Sequence, residues 1–175
     1  SNLDLAIVTG GVSSTLRKIL GPLPFTELSP AGTVPYSQVM ISNLNNSGPN
    51  EIIARAAASI DIFQSPNFDS TSTQITASTS VFTLTEYNKD GNQDIFGYKA
   101  DGSGVGFAES SGSFSFNPFT GSVGTSNGGK GLAVGDLDGD NQVDVFAGVN
   151  DGTVNYGLYL AAGSWTLQQP IAVMD

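Results

Sequence analysis

The chain has 175 residues, enough for one domain with a sizeable core and two at most. Its 16 acidic and 6 basic residues give a net charge of −10, which excludes the clustered Lys and Arg that nucleic acid or an anionic membrane surface requires. Cys and His are both absent, so disulfides, Cys-His and Ser-His-Asp triads and ordinary zinc sites are excluded too.

The 22 glycines and the plentiful Ser, Thr and Asn predict strands and turns rather than helices. No apolar run approaches the ~20 residues that span a bilayer, and none reads as a secretory leader. From the N-terminus, Asp4 precedes an apolar strand at residues 5–8, and Phe25 follows further on. Residues 39–54 read as apolar strand, polar turn, acidic residue, apolar strand, with Asn43, Asn45 and Ser47 in the turn, Glu51 closing it and Phe68 beyond. The pattern returns at residues 82–97, with Glu86, Asn88, Asp90 and Asp94, then Phe114. It returns again at residues 131–148, with Asp136, Asp138, Asp140 and Asp144, then Trp165. Asp101-Gly102 and Asp151-Gly152 stand at matching places, as tight hairpin turns. The chain ends Ile171-Ala-Val-Met-Asp175, which matches residues 132–136. Joined to the N-terminal piece, it makes a fourth copy split across the termini.

The closing acids Asp4, Glu51, Asp94 and Asp144 recur about every 45 residues. The third repeat predicts strands at 132–136, 144–149, 154–161 and 164–168. Four short antiparallel strands per repeat of this length are the signature of a propeller blade. A β-sandwich also has many short strands but does not require a periodic sequence. The expected fold is therefore an all-β propeller of about four four-stranded blades in a single domain. Its repeats are 1–35 plus 170–175, 36–80, 81–130 and 131–169. The Ser/Thr/Gly-rich stretches 70–80 and 121–131 read as surface loops joining blades. The split blade closes either within one chain, which the close match of the two ends favours, or by strand addition between chains. Both routes place Asp4 beside Asp175.

The third turn carries Asp136, Asp138, Asp140 and Asp144 at alternating positions and then four further on, with a backbone carbonyl available at Gln142. Ca²⁺ takes six to eight hard oxygen ligands, and carboxylates packed this closely repel without a cation. The second turn offers Glu86, Asn88, Asp90 and Asp94, with Asn92 at the carbonyl position, and predicts weaker binding. The first turn, with one carboxylate, predicts no tight Ca²⁺ and amides that bond the turn directly. These are not EF-hand loops: position 12 is Ala147 or Gly97, and the flanks are strands.

The Asp-rich turn between apolar strands at residues 136–148 and 86–98, degraded at 43–54, resembles the FG-GAP/VCBS repeats of integrin-type β-propellers. The resemblance implies loops that bind Ca²⁺ for structural reasons, and roles in adhesion, carbohydrate binding or support beside enzymes. It departs at two points. Integrin-type rings usually have about seven blades. The usual glycine after the third Asp is Asn141 here, while a glycine stands earlier at Gly139.

No catalytic constellation emerges. Glu27, Asp61, Asp69 and Glu109 read as solvated charges, and Tyr98, Tyr156, Tyr159 and the aromatic set Phe25, Phe68, Phe114 and Trp165 as blade packing. The expectation is a non-enzymatic, Ca²⁺-binding domain, extracellular or at the cell surface, with a protein or glycan ligand. The alternatives are a carbohydrate-binding lectin and the accessory domain of a polysaccharide-degrading enzyme. Asn45-Asn46-Ser47 is a glycosylation triplet, meaningful in a eukaryotic secretory setting.

Overall fold

Short runs of Ile, Val, Phe and Thr, each bounded by Gly, Asn, Asp and Ser, form fifteen strands among the described residues of the computed structural model of the chain. The structure describes residues 5–9, 15–20, 26–28, 34–65, 68, 71–123, 131–150, 154–161 and 165–172. Side chains are described at 34–65, 68, 73–120 and 131–147. The described secondary structure is all β, without helix.

Two compact units divide the chain, Ser1–Thr76 and Ala77–Asp175. The first contains β1 (Leu5–Thr9), β2 (Thr15–Leu20) and β3 (Thr26–Leu28) in one antiparallel sheet. It also contains β4 (Gln38–Ser42), β5 (Glu51–Arg55), β6 (Ser59–Phe63) and β7 (Thr71–Thr76), an antiparallel meander in chain order. One face of that meander packs Ile52, Ala54, Phe63 and Phe68 with Tyr36. Ile53, Ile60 and Ile62 are fully buried as well, so β5 is apolar on successive residues while β6 alternates Ile60 and Ile62 around a buried Asp61.

The second unit repeats the meander twice. The first copy is β8 (Thr79–Thr85), β9 (Asp94–Lys99), β10 (Val105–Ala108) and β11 (Thr120–Val123). The second is β12 (Leu132–Gly135), β13 (Asp144–Asn150), β14 (Val154–Ala161) and β15 (Trp165–Ala172). These two sheets share a core of Phe96, Tyr98 and Val105 with Val143, Val145 and Ala147. Tyr87, Phe96 and Phe107 meet there with ring centroids 5.4–5.8 Å apart.

Three expectations change. Residues 70–80 and 121–131 are not simply joining loops: they contain β7, the start of β8 and the end of β11. Thr is β-branched and favours the pleated surface, and Ile75 opposite Ile60 anchors β7 to its sheet. The last strand does not stop at 168. It runs through Pro170, which has no N–H to donate, at a register shift between Tyr156 and Leu158. Ile171 therefore pairs with Tyr156 and Ala172 with Asn155. The split blade is thereby corrected: residues 171–172 belong to the C-terminal sheet, while 5–9 lie in the three-stranded sheet of β1, β2 and β3. Asp4 and Asp175 lie outside the described residues. Phe68 and Phe114 precede the fourth strand of their sheets and lie outside any strand, with φ of 53° and 60°. Phe68 is buried and Phe114 is half-buried. Trp165 does open a strand, and Phe25 lies outside the described residues.

Candidate metal centre

In each complete sheet the polar turn joins the first strand to the second, and the same residue pair closes it. Ser42 pairs with Glu51, Thr85 with Asp94 and Gly135 with Asp144. The closing carboxylate then turns back into the loop. Glu51 Oε2 accepts from Leu44 N at 3.0 Å, Asp94 Oδ2 from Tyr87 N at 2.7 Å and Asp144 Oδ2 from Leu137 N at 2.8 Å. All three acids are buried, Asp94 and Asp144 completely. Asp94 Oδ1 also accepts from Ser110 N at 2.7 Å, which ties the loop to the end of β10. Burial pushes the Glu51 and Asp94 carboxyls above the usual carboxylate range, against the pull of these N–H donors.

Counting the nine loop positions from Asn43, Glu86 and Asp136, side-chain oxygens at the odd positions cap backbone N–H groups further on. In the third loop Asp136 accepts from Gly139 N at 2.7 Å and Asn141 N at 2.9 Å. Asp138 accepts from Asp140 N at 3.1 Å, and Asp140 accepts from both Gln142 N and Gln142 Nε2 at 2.7 Å. In the second loop Glu86 accepts from Gly91 N at 2.9 Å, Asn88 from Asp90 N at 3.1 Å and Asp90 from Asn92 N at 2.8 Å. In the first loop the amides bond the turn: Asn43 and Asn45 accept from Ser47 N, and Asn43 Nδ2 donates to Gly48 O at 3.2 Å.

The displaced glycine has a backbone explanation. Positions 4 and 6 are left-handed in all three loops: Asn46, Lys89 and Gly139 at φ 52°, 61° and 87°, then Gly48, Gly91 and Asn141 at 79°, 86° and 65°. Gly carries one of the two left-handed positions in each loop. Asn is among the side chains that tolerate that region best, so Asn141 can stand where glycine is usual.

The third loop brings Asp136, Asp138 and Asp144 together, with one oxygen from each within 4.8 Å of the others. Asp140, which accepts from Gln142 N and Nε2, stands outside that group of carboxylates. Among the described residues, Glu86, Asp90 and Asp94 of the second loop form no such convergence. Three anionic oxygens at this separation, one on a fully buried carboxylate, fit a hard divalent cation, and each oxygen retains lone-pair capacity beyond the N–H it accepts. The second loop fits less well, because its carboxylate oxygens do not converge in this way.

Asp61 is not a solvated charge. It is 1% exposed, accepting from Tyr36 Oη at 2.7 Å and Gln74 Nε2 at 3.0 Å. Burial and this carboxylate push the Tyr36 phenol well above its ordinary value. The apolar, strand-like setting of Asp61 between Ile60 and Ile62 was the signal for burial. Glu109 is half-buried and accepts from Asn117 Nδ2 at 3.2 Å, while the Glu27 and Asp69 side chains lie outside the described residues. Tyr98 is buried in the shared core, as expected, and the side chains of Tyr156 and Tyr159 lie outside the described residues. The Asp101-Gly102 turn forms, with Ser103 N donating to Asp101 Oδ1 at 2.9 Å, and Asp151-Gly152 lies outside the described residues.

Residues 86–147 match the family model described as an FG-GAP-like repeat, from the first position of the second loop into the strand that follows the third. The chain therefore carries an FG-GAP-like repeat over that span. No curated protein and no solved structure matches the chain. Among the described residues, no helix is long and apolar enough to cross a membrane.

Proposed function

We propose that this chain is a non-catalytic, calcium-binding domain of β-propeller type that serves binding, adhesion or scaffolding outside the cell. The observation that carries this is the convergence of Asp136, Asp138 and Asp144 at the turn between β12 and β13, inside the span that matches the FG-GAP-like repeat. Three complete sheets with one meander and one loop geometry support reading them as blades. Asp136, Asp138 and Asp144 would hold the ion, which supplies the positive charge that lets a buried carboxylate and two exposed ones share one turn. Millimolar extracellular Ca²⁺ is enough to fill a weak site of this kind. The absence of His and Cys from the sequence and the capture of Asp61 by Tyr36 and Gln74 favour a binding role over acid–base chemistry.

The test is thermal unfolding in chelator and in millimolar Ca²⁺. Binding only to the native state stabilises by roughly 3 kcal/mol at a hundredfold excess over Kd, a rise in Tm on the order of 10 °C for a unit of this size. Asp138→Asn keeps the acceptor for Asp140 N but lowers the site's charge, and should abolish most of the rise. Identical melts with and without Ca²⁺ would remove the metal from the proposal.

A further inference from the structure

We infer that Asn45 is an N-glycan acceptor, and that the first loop has exchanged an ion-binding role for a carbohydrate-bearing one. The inference rests on the extracellular placement proposed above. The loop departs from its two counterparts at the positions that matter. Position 5 is a carboxylate in the other loops, Asp90 and Asp140, and each accepts from the N–H of position 7. In the first loop position 7 is Pro49, which has no N–H, and position 5 is Ser47. The Ser47 hydroxyl is therefore released from the loop-closing role that the repeat assigns to that position. Position 3 differs in the same sense. The Asn88 amide nitrogen is engaged, donating to Asp90 Oδ2 at 3.2 Å. The Asn45 side chain uses its oxygen alone, accepting from Ser47 N at 3.0 Å, and its Nδ2 has no partner among the described residues.

That bond folds Asn45-Asn46-Ser47 into an Asx turn, in which Asn45 itself is half-buried. Neither Asn46 at the middle position nor Gly48 after the triplet is proline, and residues 46–50 are exposed. In the transfer, Asn45 Nδ2 attacks the anomeric carbon of a lipid-linked oligosaccharide diphosphate. A C–N bond forms, the C–O bond to the diphosphate breaks, the lipid diphosphate leaves and Nδ2 loses one proton. The Oδ1 acceptor is untouched, so the glycan costs the loop none of its hydrogen bonds. Asn43 cannot substitute: its Nδ2 is engaged with Gly48 O, and no Ser or Thr stands two residues on.

The experiment is translation of the full chain behind a secretory leader in the presence of eukaryotic microsomes, with protease protection to isolate translocated chains. Mass is read before and after peptide N-glycosidase. The expected result is one glycan, converted on release to Asp at residue 45. It should be lost in Asn45→Gln and Ser47→Ala, raised in occupancy in Ser47→Thr and unchanged in Asn43→Asp. Ser47→Ala retains the Ser47 N–H, so its loss of glycan cannot be assigned to an unfolded loop. Translocated chains at unmodified mass, or a glycan that survives Ser47→Ala, overturn the inference. The Ca²⁺ response of the third loop, measured on the same material, separates this outcome from failure of the metal reading.

Discussion

Burying a carboxylate is costly unless donors meet its oxygens, and Glu51, Asp94 and Asp144 each meet the N–H seven residues earlier. The same residue thus closes the hairpin and faces the loop interior, which is why the repeat retains an acid there even where the first loop has lost its other carboxylates. Glu51 isolates the cost, because its loop offers no competing ligand set. Burial raises its folded-state pKa above the unfolded value. Its favourable contribution is therefore fully present below the unfolded pKa and lost as pH rises through the folded one. Glu51→Gln keeps a carbonyl oxygen for Leu44 N and removes the charge. The variant should melt a few degrees higher at neutral pH, and the gain should shrink as pH falls through the raised value. A constant difference at every pH would show that titration of Glu51 plays no part.

At the scale of elements, the meander is held by close backbone approach as well as by apolar burial. Gly97 and Gly106 pair across β9 and β10, and the Phe119 ring lies over both. A Cβ on Gly97 would stand 2.7 Å from Thr79 Cγ2 and 3.1 Å from Phe119 Cζ. Gly97→Ala should therefore cost about 1–3 kcal/mol through overpacking, read as a lower urea midpoint with an unchanged slope. An unchanged midpoint would mean that β8 and the ring yield freely. This contact was illegible in the sequence, since nothing in the spacing says that a phenylalanine thirteen or more residues on will fold back over a glycine pair. The loops were legible because each is one hairpin, with alternation, left-handed positions and closing acid all within a few residues. The convergence of Asp136, Asp138 and Asp144 follows from that local geometry, while the departure of Asp140 depends on a bond to Gln142 that no motif encodes. The strands in 70–80 and 121–131 were obscured by composition: Ser, Thr and Gly read as linker until a partner strand supplies the pairing.

For the molecule as a whole, the repeat announces a common unit but does not say which copies depend on one another. In the sequence, the C-terminal residues match the strand that the N-terminal repeat lacks, with closure within one chain or between chains. Closure within the chain fails where the bulge at Pro170 lets β15 stay with β14 through residue 172. Two compact units remain, and the second contains two complete meanders, the shared aromatic core and the only convergent carboxylate group among the described residues. The first has its own core around Tyr36, Ile52, Phe63 and Phe68. Units of this size can fold alone when they bury a continuous apolar core, and antiparallel meanders in chain order keep their contacts local. Ala77–Asp175 produced by itself should therefore unfold cooperatively and retain the Ca²⁺-dependent rise in Tm. Ser1–Thr76 should show no such rise, since its loop offers one carboxylate. Calorimetry with and without chelator on each piece checks both. A broad, non-cooperative transition for Ala77–Asp175 would mean that its core is completed by the first unit, and that the division of contacts does not mark a division of stability.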